Sequence, residues 1–510
     1  MTETLRTRMR VATGGVLISR RFALPLAAGL GVLSSLAFEP VALPYAMVVA
    51  VAGLVWLAKR LDAARKRTVA LVGFSYGLGF MLPLIFWMKA VSLGAYIGLV
   101  PVEAAFYAPL MLAMRAAVRL RAWPLWGAAV WVLGEYVRGS VPFGGFPWGR
   151  LAHTSIDTPF SSYARLLGTS GTSAVMFVVA ALLLLAVTGP AWRQRGLAAL
   201  GIVGLTLLAI ILPTGIAGAD GTRQVALVQG DVPGVFLTWP RGEIFDLHAA
   251  ETDKLAARIE AGKVPRPDMV LWPENSTDID PYHDAYVRAR IQGLSSRLEA
   301  PILVGGIFDG PTVDTSYNAG VVWDANGPGD RYVKRNVVAY GEYVPFRKLL
   351  GSVVPRLSRD IPRDMLPGKK PGALTIGDTV VGDAICWDIA DDGAIHEAVN
   401  AGAQVLVVQT SNASFTGTSQ PEQQWDISRL RAIETGRWVL VPSTNGISGV
   451  VDPEGNPVQR APLHQPATLS AKVTLASGTT PAQHLAEPLQ YLLLTLGLGA
   501  WFLGTRRKKG

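Results

Sequence analysis

The 510 residues include one cysteine, Cys386, six histidines and only 17% charged side chains. A single cysteine excludes an intramolecular disulfide, a multi-cysteine zinc site and an iron–sulfur cluster. The histidines show no HExxH or comparable spacing, so no metal mechanism and no cofactor is expected. A soluble domain usually carries about 25% charged residues, so this chain is short of solvating surface. What charge it has is lopsided, with a net +9. A basic chain invites a nucleic-acid reading, but these Lys and Arg residues punctuate apolar segments and form no interleaved basic and aromatic face. No nucleic-acid partner is expected.

Hydrophobic residues, in contrast, make up 50% of the chain, and they are unevenly distributed. A membrane-crossing helix needs ~20 largely apolar residues. Candidate runs stand at residues 22–38, 44–58, 69–88, 95–117, 123–136, 164–188 and 197–213, with a last one at 488–503. Five basic clusters flank them. The first comprises Arg6, Arg8, Arg10, Arg20 and Arg21, and the second Lys59, Arg60, Arg65, Lys66 and Arg67. Arg119 with Arg121, Arg193 with Arg195, and the tail Arg506, Arg507, Lys508 and Lys509 complete the set. Eight spans with both termini in the cytoplasm put all five clusters on the cytoplasmic side, as the positive-inside rule requires; seven or nine do not. The first run also has the basic start and apolar stretch of a signal peptide, but only a retained helix keeps that parity.

The expected organisation is a membrane helical bundle over residues 1–217 with seven spans, a domain outside the cytoplasm over 218–484, and a last span with a basic tail over 485–510. Within the polar domain, strand-like runs recur at 224–228, 269–271, 302–304, 319–323, 380–385, 405–408, 439–441 and 448–451. Helical patterns at 244–259, 285–298 and 423–435 separate several of them. Short buried strands alternating with helices indicate a layered α/β fold.

Three sites in this domain stand where a strand is expected to end, the usual place for functional groups in α/β folds. In Val270-Leu271-Trp272-Pro273-Glu274-Asn275, Glu274 is the first polar side chain after an apolar run closed by proline. Lys334 lies in Tyr332-Val333-Lys334-Arg335, shortly before Tyr340-Gly341-Glu342-Tyr343-Val344-Pro345. Cys386 ends the run Gly382-Asp383-Ala384-Ile385-Cys386 and precedes Trp387-Asp388. Singly, each has a plainer reading: a helix N-terminal acid, a solvated lysine, a buried thiol acting as a small hydrophobe. Together they fit a cysteine enzyme without histidine. A thiol of pKa ~8.5 needs a base to become a nucleophile; a carboxylate can serve, and a lysine can stabilise the developing oxyanion.

In these contexts the trio resembles the Glu–Lys–Cys triad of the nitrilase superfamily. The whole chain looks like the apolipoprotein N-acyltransferase family. Further stretches carry that resemblance: Gly134-Glu135-Tyr136-Val137-Arg138-Gly139, Gly145-Phe146-Pro147-Trp148, Val228-Gln229-Gly230-Asp231-Val232-Pro233, Thr410-Ser411-Asn412 and Ser443-Thr444-Asn445-Gly446. It implies a membrane helical bundle of eight spans carrying an extracytoplasmic αββα sandwich, in the bacterial cytoplasmic membrane and as a monomer. It also implies a glycerophospholipid acyl donor, a diacylated apolipoprotein acceptor, and a ping-pong reaction through a Cys386 thioester. Glu274, Lys334 and Cys386 would then be catalytic, with Glu342, Trp387, Asp388, Trp239 and Tyr343 in supporting or substrate-binding roles. The chain departs from many relatives in having Trp387-Asp388 where they have Tyr-Glu. Glu135 and Arg138 share a helix face, as a simple pair or as a contact for head group or outer domain. A membrane-tethered hydrolase using water in place of the amine fits the same trio. A transporter would instead show paired half-repeats and broken helices, and no such repeat is visible.

Overall fold

The computed structural model describes residues 19–233, 239–348, 359 and 361–507. Arg6, Arg8, Arg10, Lys508 and Lys509, which entered the charge argument, lie outside the described residues. The apolar runs of the first half fold as helices: α1 (Arg20–Ser35), α2 (Pro44–Arg60), α3 (Lys66–Leu84), α4 (Leu93–Ala105), α5 (Tyr107–Ala117), α6 (Trp123–Ser140), α7 (Tyr163–Thr188) and α8 (Trp192–Ile211). α4 and α5 share the single run at 95–117 and join through Phe106 in helical geometry. Pro44 opens α2, where a missing N–H costs no intrahelical bond. α7 bends at Gly168, whose φ of 67° suits glycine.

Among the described residues, four helices are long and apolar enough to cross a membrane: Lys66–Leu84, Leu93–Ala117, Pro159–Thr188 and Trp192–Ile211. The other expected spans are helical but fall outside those limits. α1 and α2 have only 16 and 17 residues, and α6 includes Glu135 and Arg138. The final helix Pro481–Arg506 opens on a polar turn containing His484 and Glu487. α8 leaves Leu197, Leu200, Leu207, Ile210 and Ile211 exposed, an apolar patch of the kind that marks a membrane-facing surface.

The second half is a two-sheet sandwich. One sheet has the order β13–β1–β2–β3–β4–β5, with β6 on β4. Its strands are β1 (Ala219–Gln229), β2 (Met269–Leu271), β3 (Ile302–Asp309), β4 (Thr315–Asp324), β5 (Gly327–Val333), β6 (Asp364–Met365) and β13 (Ala467–Ala476). The other has the order β12–β11–β10–β9–β8–β7. It comprises β7 (Ala373–Ile376), β8 (Thr379–Ile385), β9 (Val405–Gln409), β10 (Val439–Val441), β11 (Gly449–Val451) and β12 (Pro457–Arg460). All eight expected strands overlap strands of the structure; β5, β6, β7, β12 and β13 are additional.

Period-two alternation sorts the side chains. Val225 and Leu227 enter the core between the sheets with Val381, Val405 and Val407. Ala226 and Val228 face the opposite way, against α9 (Glu243–Glu260) and α10 (Ala285–Leu298). Ala384, Leu406 and Val408 face outward from the second sheet, toward α11 (Asp392–Asn400) and α12 (Gln420–Thr435). The layers are therefore helix, sheet, sheet, helix, as expected. The apolar cluster containing Val408, Ile395 and Trp425 continues into Phe80, Trp131 and Phe177 of the helical half. The layer α11–α12 is thus the face that docks on the helices of the first half. The last helix, α13 (Pro481–Arg506), returns to pack on α6 and α7.

Candidate active site

Glu274, Lys334 and Cys386 converge from three strand ends, two in the first sheet and one in the second. Glu274 follows β2 through Trp272-Pro273. Its backbone lies so close to β3 that a Cβ on Gly305 would stand 2.3 Å from the Pro273 carbonyl oxygen, so glycine is required there. Lys334 follows β5 directly, its N–H donating to the Asn318 carbonyl at 2.9 Å. Cys386 follows β8 at φ 51°, a left-handed conformation that costs an L-residue roughly 1–2 kcal/mol. It opens a one-turn helix, Cys386–Ala390, which turns the thiol out of the sheet.

Hydrogen bonds fix the carboxylate. Glu274 is buried; its Oε1 accepts from Asn318 Nδ2 at 2.7 Å and its Oε2 from the Ser411 N–H at 2.8 Å. Ser411 follows β9, so this carboxylate ties one sheet to the other. The ammonium of Lys334, also buried, donates to Glu342 Oε1 at 2.7 Å and stands 3.7 Å from Glu274 Oε1. Glu342 accepts in turn from Asn318 Nδ2 at 3.1 Å and the Val338 N–H at 2.7 Å. One lysine therefore lies between two carboxylates.

Burial raises the Glu274 carboxyl above its ordinary value; Lys334 pulls it down and Glu342 pushes it up. Burial opposes the Lys334 charge, but Glu342, Glu274 and Cys386 outweigh it and hold the ammonium above its usual range. The Cys386 thiol is pushed up to about 12 by burial and by Glu274, against the pull of Lys334 and a hydrogen bond with Thr410. The resting site thus contains a protonated thiol, an adjacent carboxylate of raised proton affinity and a permanent cation, the arrangement needed for proton transfer coupled to attack.

The supporting residues separate into groups. Glu342 is part of the centre. Asp388 is fully buried and accepts from Tyr332 Oη at 2.8 Å, the Asn336 N–H at 3.0 Å and the Ile385 N–H at 3.2 Å; it fastens the cysteine turn to the Lys334 loop. Trp387 is half-buried and stacks on Trp148 with centroids 5.1 Å apart and planes at 13°, beside Phe146 at 5.2 Å. Trp239 and Tyr343 are half-buried, and among the described residues neither side chain is hydrogen-bonded to the trio. Glu135 and Arg138 do not pair with each other. Arg138 donates to Glu103 at 3.2 Å and to the carbonyls of Phe146 and Trp148 at 2.9 and 2.5 Å. Glu135 accepts from Trp131 Nε1 at 2.8 Å and the Leu151 N–H at 2.7 Å. Both therefore hold the 146–151 loop, whose Trp148 meets Trp387. Asn318, Ser411 and Thr410 carry contacts that no motif had assigned to them. A cavity of about 310 Å³ lies nearby between α6, α11 and α13, but it is lined by residues such as Glu135, Arg150 and Asp392, and not by the trio.

Sandwich and site together define a carbon–nitrogen hydrolase domain of the nitrilase type. Residues 224–481 match the carbon-nitrogen hydrolase family, and residues 30–182 match the apolipoprotein N-acyltransferase N-terminal domain. An apolipoprotein N-acyltransferase of Mycolicibacterium smegmatis is 34% identical over 95% of this chain and 85% of its own length. One from Photobacterium profundum is 25% identical over 95% of each. The chain belongs to the apolipoprotein N-acyltransferase family and is an acyltransferase. Among solved structures, a mutant of the Nesterenkonia AN1 amidase, from the nitrilase superfamily, aligns over 55% of this chain and 99% of its own at 17% identity, with a TM-score of 0.36.

Proposed function

We propose that the chain transfers an acyl group from a glycerophospholipid to the α-amine of the N-terminal diacylglyceryl-cysteine of apolipoproteins, through a thioester on Cys386. The observation that carries this reading is the convergence of Glu274, Lys334 and Cys386 beside Trp387 and Trp148, where the sandwich meets the membrane helices. Glu274 takes the proton of the Cys386 thiol as sulfur attacks the ester carbonyl. Lys334, with the Trp387 N–H, stabilises the oxyanion. The tetrahedral adduct expels the lysophospholipid oxygen, which takes the proton back from Glu274, and leaves the thioester. The acceptor amine then attacks, gives a proton to Glu274, and the restored thiolate is reprotonated. Glu342 holds Lys334 in place throughout; Trp239 and Tyr343 contact substrate.

The same reading places the chain in the cytoplasmic membrane with eight spans, α4 and α5 forming one of them, and with residues 218–484 as a separate domain on the outer side. Donor and acceptor are both anchored in the outer leaflet, so an active site docked on the membrane helices meets them without extracting either from lipid. The test is to supply purified protein with an acyl-labelled phospholipid and a synthetic diacylglyceryl-cysteinyl peptide. Label should pass to the peptide amine, in an amide that survives hydroxylamine. Lysophospholipid and free fatty acid without labelled peptide would mean water is the acceptor and the enzyme is a hydrolase.

A further inference from the structure

Two adjacent glutamines of α12, Gln423 and Gln424, are buried, and their side chains bond in different directions. Gln423 faces the membrane half. Its Oε1 accepts from the indole N–H groups of Trp87 at 3.0 Å and Trp148 at 2.7 Å, and its Nε2 donates to the carbonyls of Glu39 at 2.9 Å and Leu84 at 3.2 Å. Gln424 faces the cysteine turn. Its Nε2 donates to the Cys386 carbonyl at 3.1 Å, and its Oε1 accepts from Thr410 Oγ1 at 3.3 Å and Asn412 Nδ2 at 3.1 Å. Trp148 stacks on Trp387, the residue after Cys386.

These contacts close a ring: Cys386 carbonyl, Gln424, Gln423, Trp148, Trp387 and back to Cys386. Two links are peptide bonds, two are hydrogen bonds and one is a ring stack. The ring encloses a residue at φ 51°, a conformation that persists only when its surroundings over-determine it. Gln423 also donates to Ser419 Oγ at 3.4 Å and Gln424 also accepts from Gln420 Nε2 at 3.2 Å; buried amides making four or five hydrogen bonds have little freedom to reorient, since every unmade bond costs desolvation. We infer that Gln423 and Gln424 are positioning residues for the nucleophile, and that the membrane half, through Trp148, sets the orientation of the Cys386 sulfur toward Glu274. The inference rests on Cys386 being the nucleophile.

The single cysteine allows a test without lipid substrate. Alkylation of the full-length protein by iodoacetamide, followed by intact mass, reports Cys386 alone. Its rate is measured across pH for wild type, Gln423→Leu, Gln424→Leu, Trp148→Phe, the double variant Gln423→Leu/Trp148→Phe, and the conservative Gln423→Glu, which retains an acceptor for both indoles. The ring predicts labelling to full amplitude at about tenfold altered rate in the Leu and Phe variants, the scale expected from displacing a reacting group by a fraction of an ångström. The pH profile should be displaced, the double variant no worse than the worse single, and Gln423→Glu nearer wild type. A purely structural loss would add a fast phase, at the rate of an exposed thiol of pKa ~8.5, and leave the profile of the folded fraction unchanged. Rates and profiles within twofold of wild type, or effects of Gln423→Leu and Trp148→Phe that multiply, would overturn the inference. Failure of the underlying reading is separate: it would appear as acyl transfer surviving Cys386→Ala, whatever the alkylation rates.

Discussion

The sandwich has two helical layers built on the same plan but placed in different surroundings. α10 buries five of its 14 residues, Val287, Ile291, Leu294, Ser295 and Leu298, along one stripe and leaves the rest exposed or half-buried. α12 buries 12 of 16, among them Gln420, Gln423, Gln424, Arg431 and Glu434. The difference lies in what covers the outer face: solvent for α10, the helices of the first half for α12. A polar helix buried on all sides must satisfy its groups internally, and α12 does so across the junction. Arg431 bonds Glu434 at 2.5 Å, Asp392 at 2.7 Å and Thr169 of α7 at 2.9 Å, while Arg150 of the membrane half bonds Asp392 at 2.8 Å. The layer nearest Cys386 is thus held by directional bonds that specify one docking geometry, whereas the other layer is held mainly by apolar contact.

The largest effect is expected at the site the buried layer supports. Glu274→Gln should lower the rate of Cys386 acylation by about 10³-fold, the usual contribution of a general base, with folding intact by near-UV circular dichroism. Arg431→Met comes next. It takes from the buried Glu434 its nearest cation, leaving His396, and leaves Asp392 to Arg150 alone, and should cost about 3–5 kcal/mol in the unfolding transition. Arg297→Met in the outer layer, where Arg297 reaches Glu260 and Asp253 at the surface, should leave that transition unchanged within error. Equal effects of the two substitutions would remove the distinction between the layers.

The pH dependence of the junction follows from the same contacts. Burial opposes ionisation of Asp392, but Arg150 and Arg431 outweigh it and hold its carboxyl well below the ordinary range. The folded state therefore binds fewer protons than the unfolded one. Stability from this group is present above the unfolded pKa and lost as pH falls through the folded value. The gap in unfolding midpoint between wild type and Arg431→Met should accordingly narrow in strong acid. Asp426 is a smaller effect of opposite sign. Burial pushes it up to about 7, Arg429 pulls down, and Glu39 and Asp157 add to the rise. Its contribution is full below its unfolded value of 3.8 and is lost as pH rises through about 7. Asp426→Asn should raise the midpoint at about pH 8, by roughly 2–4 °C for each kcal/mol recovered, and change little near pH 4.

Much of the sandwich was legible because its strands are short apolar runs. Three of the five strands the pattern did not single out have other signatures. β5 begins Gly327-Pro328-Gly329, residues poorly suited to strands. β12 and β13 are partly exposed and alternate with polar residues. Cys386 and Glu274 could be placed at strand ends because proline and the polar turn mark those ends. Asn318 could not: a polar residue inside β4 becomes an anchor for Glu274 only when β4 is paired between β3 and β5. Likewise, three-residue spacing put Glu135 and Arg138 on one helix face, but spacing cannot see Glu103 on another helix, which takes Arg138 instead. The glutamines of α12 read as an ordinary polar face; only the membrane half beside them gives them partners.

An acyl group carried on Cys386 is directly visible by mass. Purified protein is incubated with a phospholipid donor and no acceptor, and its intact mass is read before and after neutral hydroxylamine. The expected result is an increase of one acyl chain, located on the Cys386 peptide, removed by hydroxylamine and absent from Cys386→Ala. An acyl group that resists hydroxylamine, or transfer to the acceptor that continues in Cys386→Ala, would contradict it.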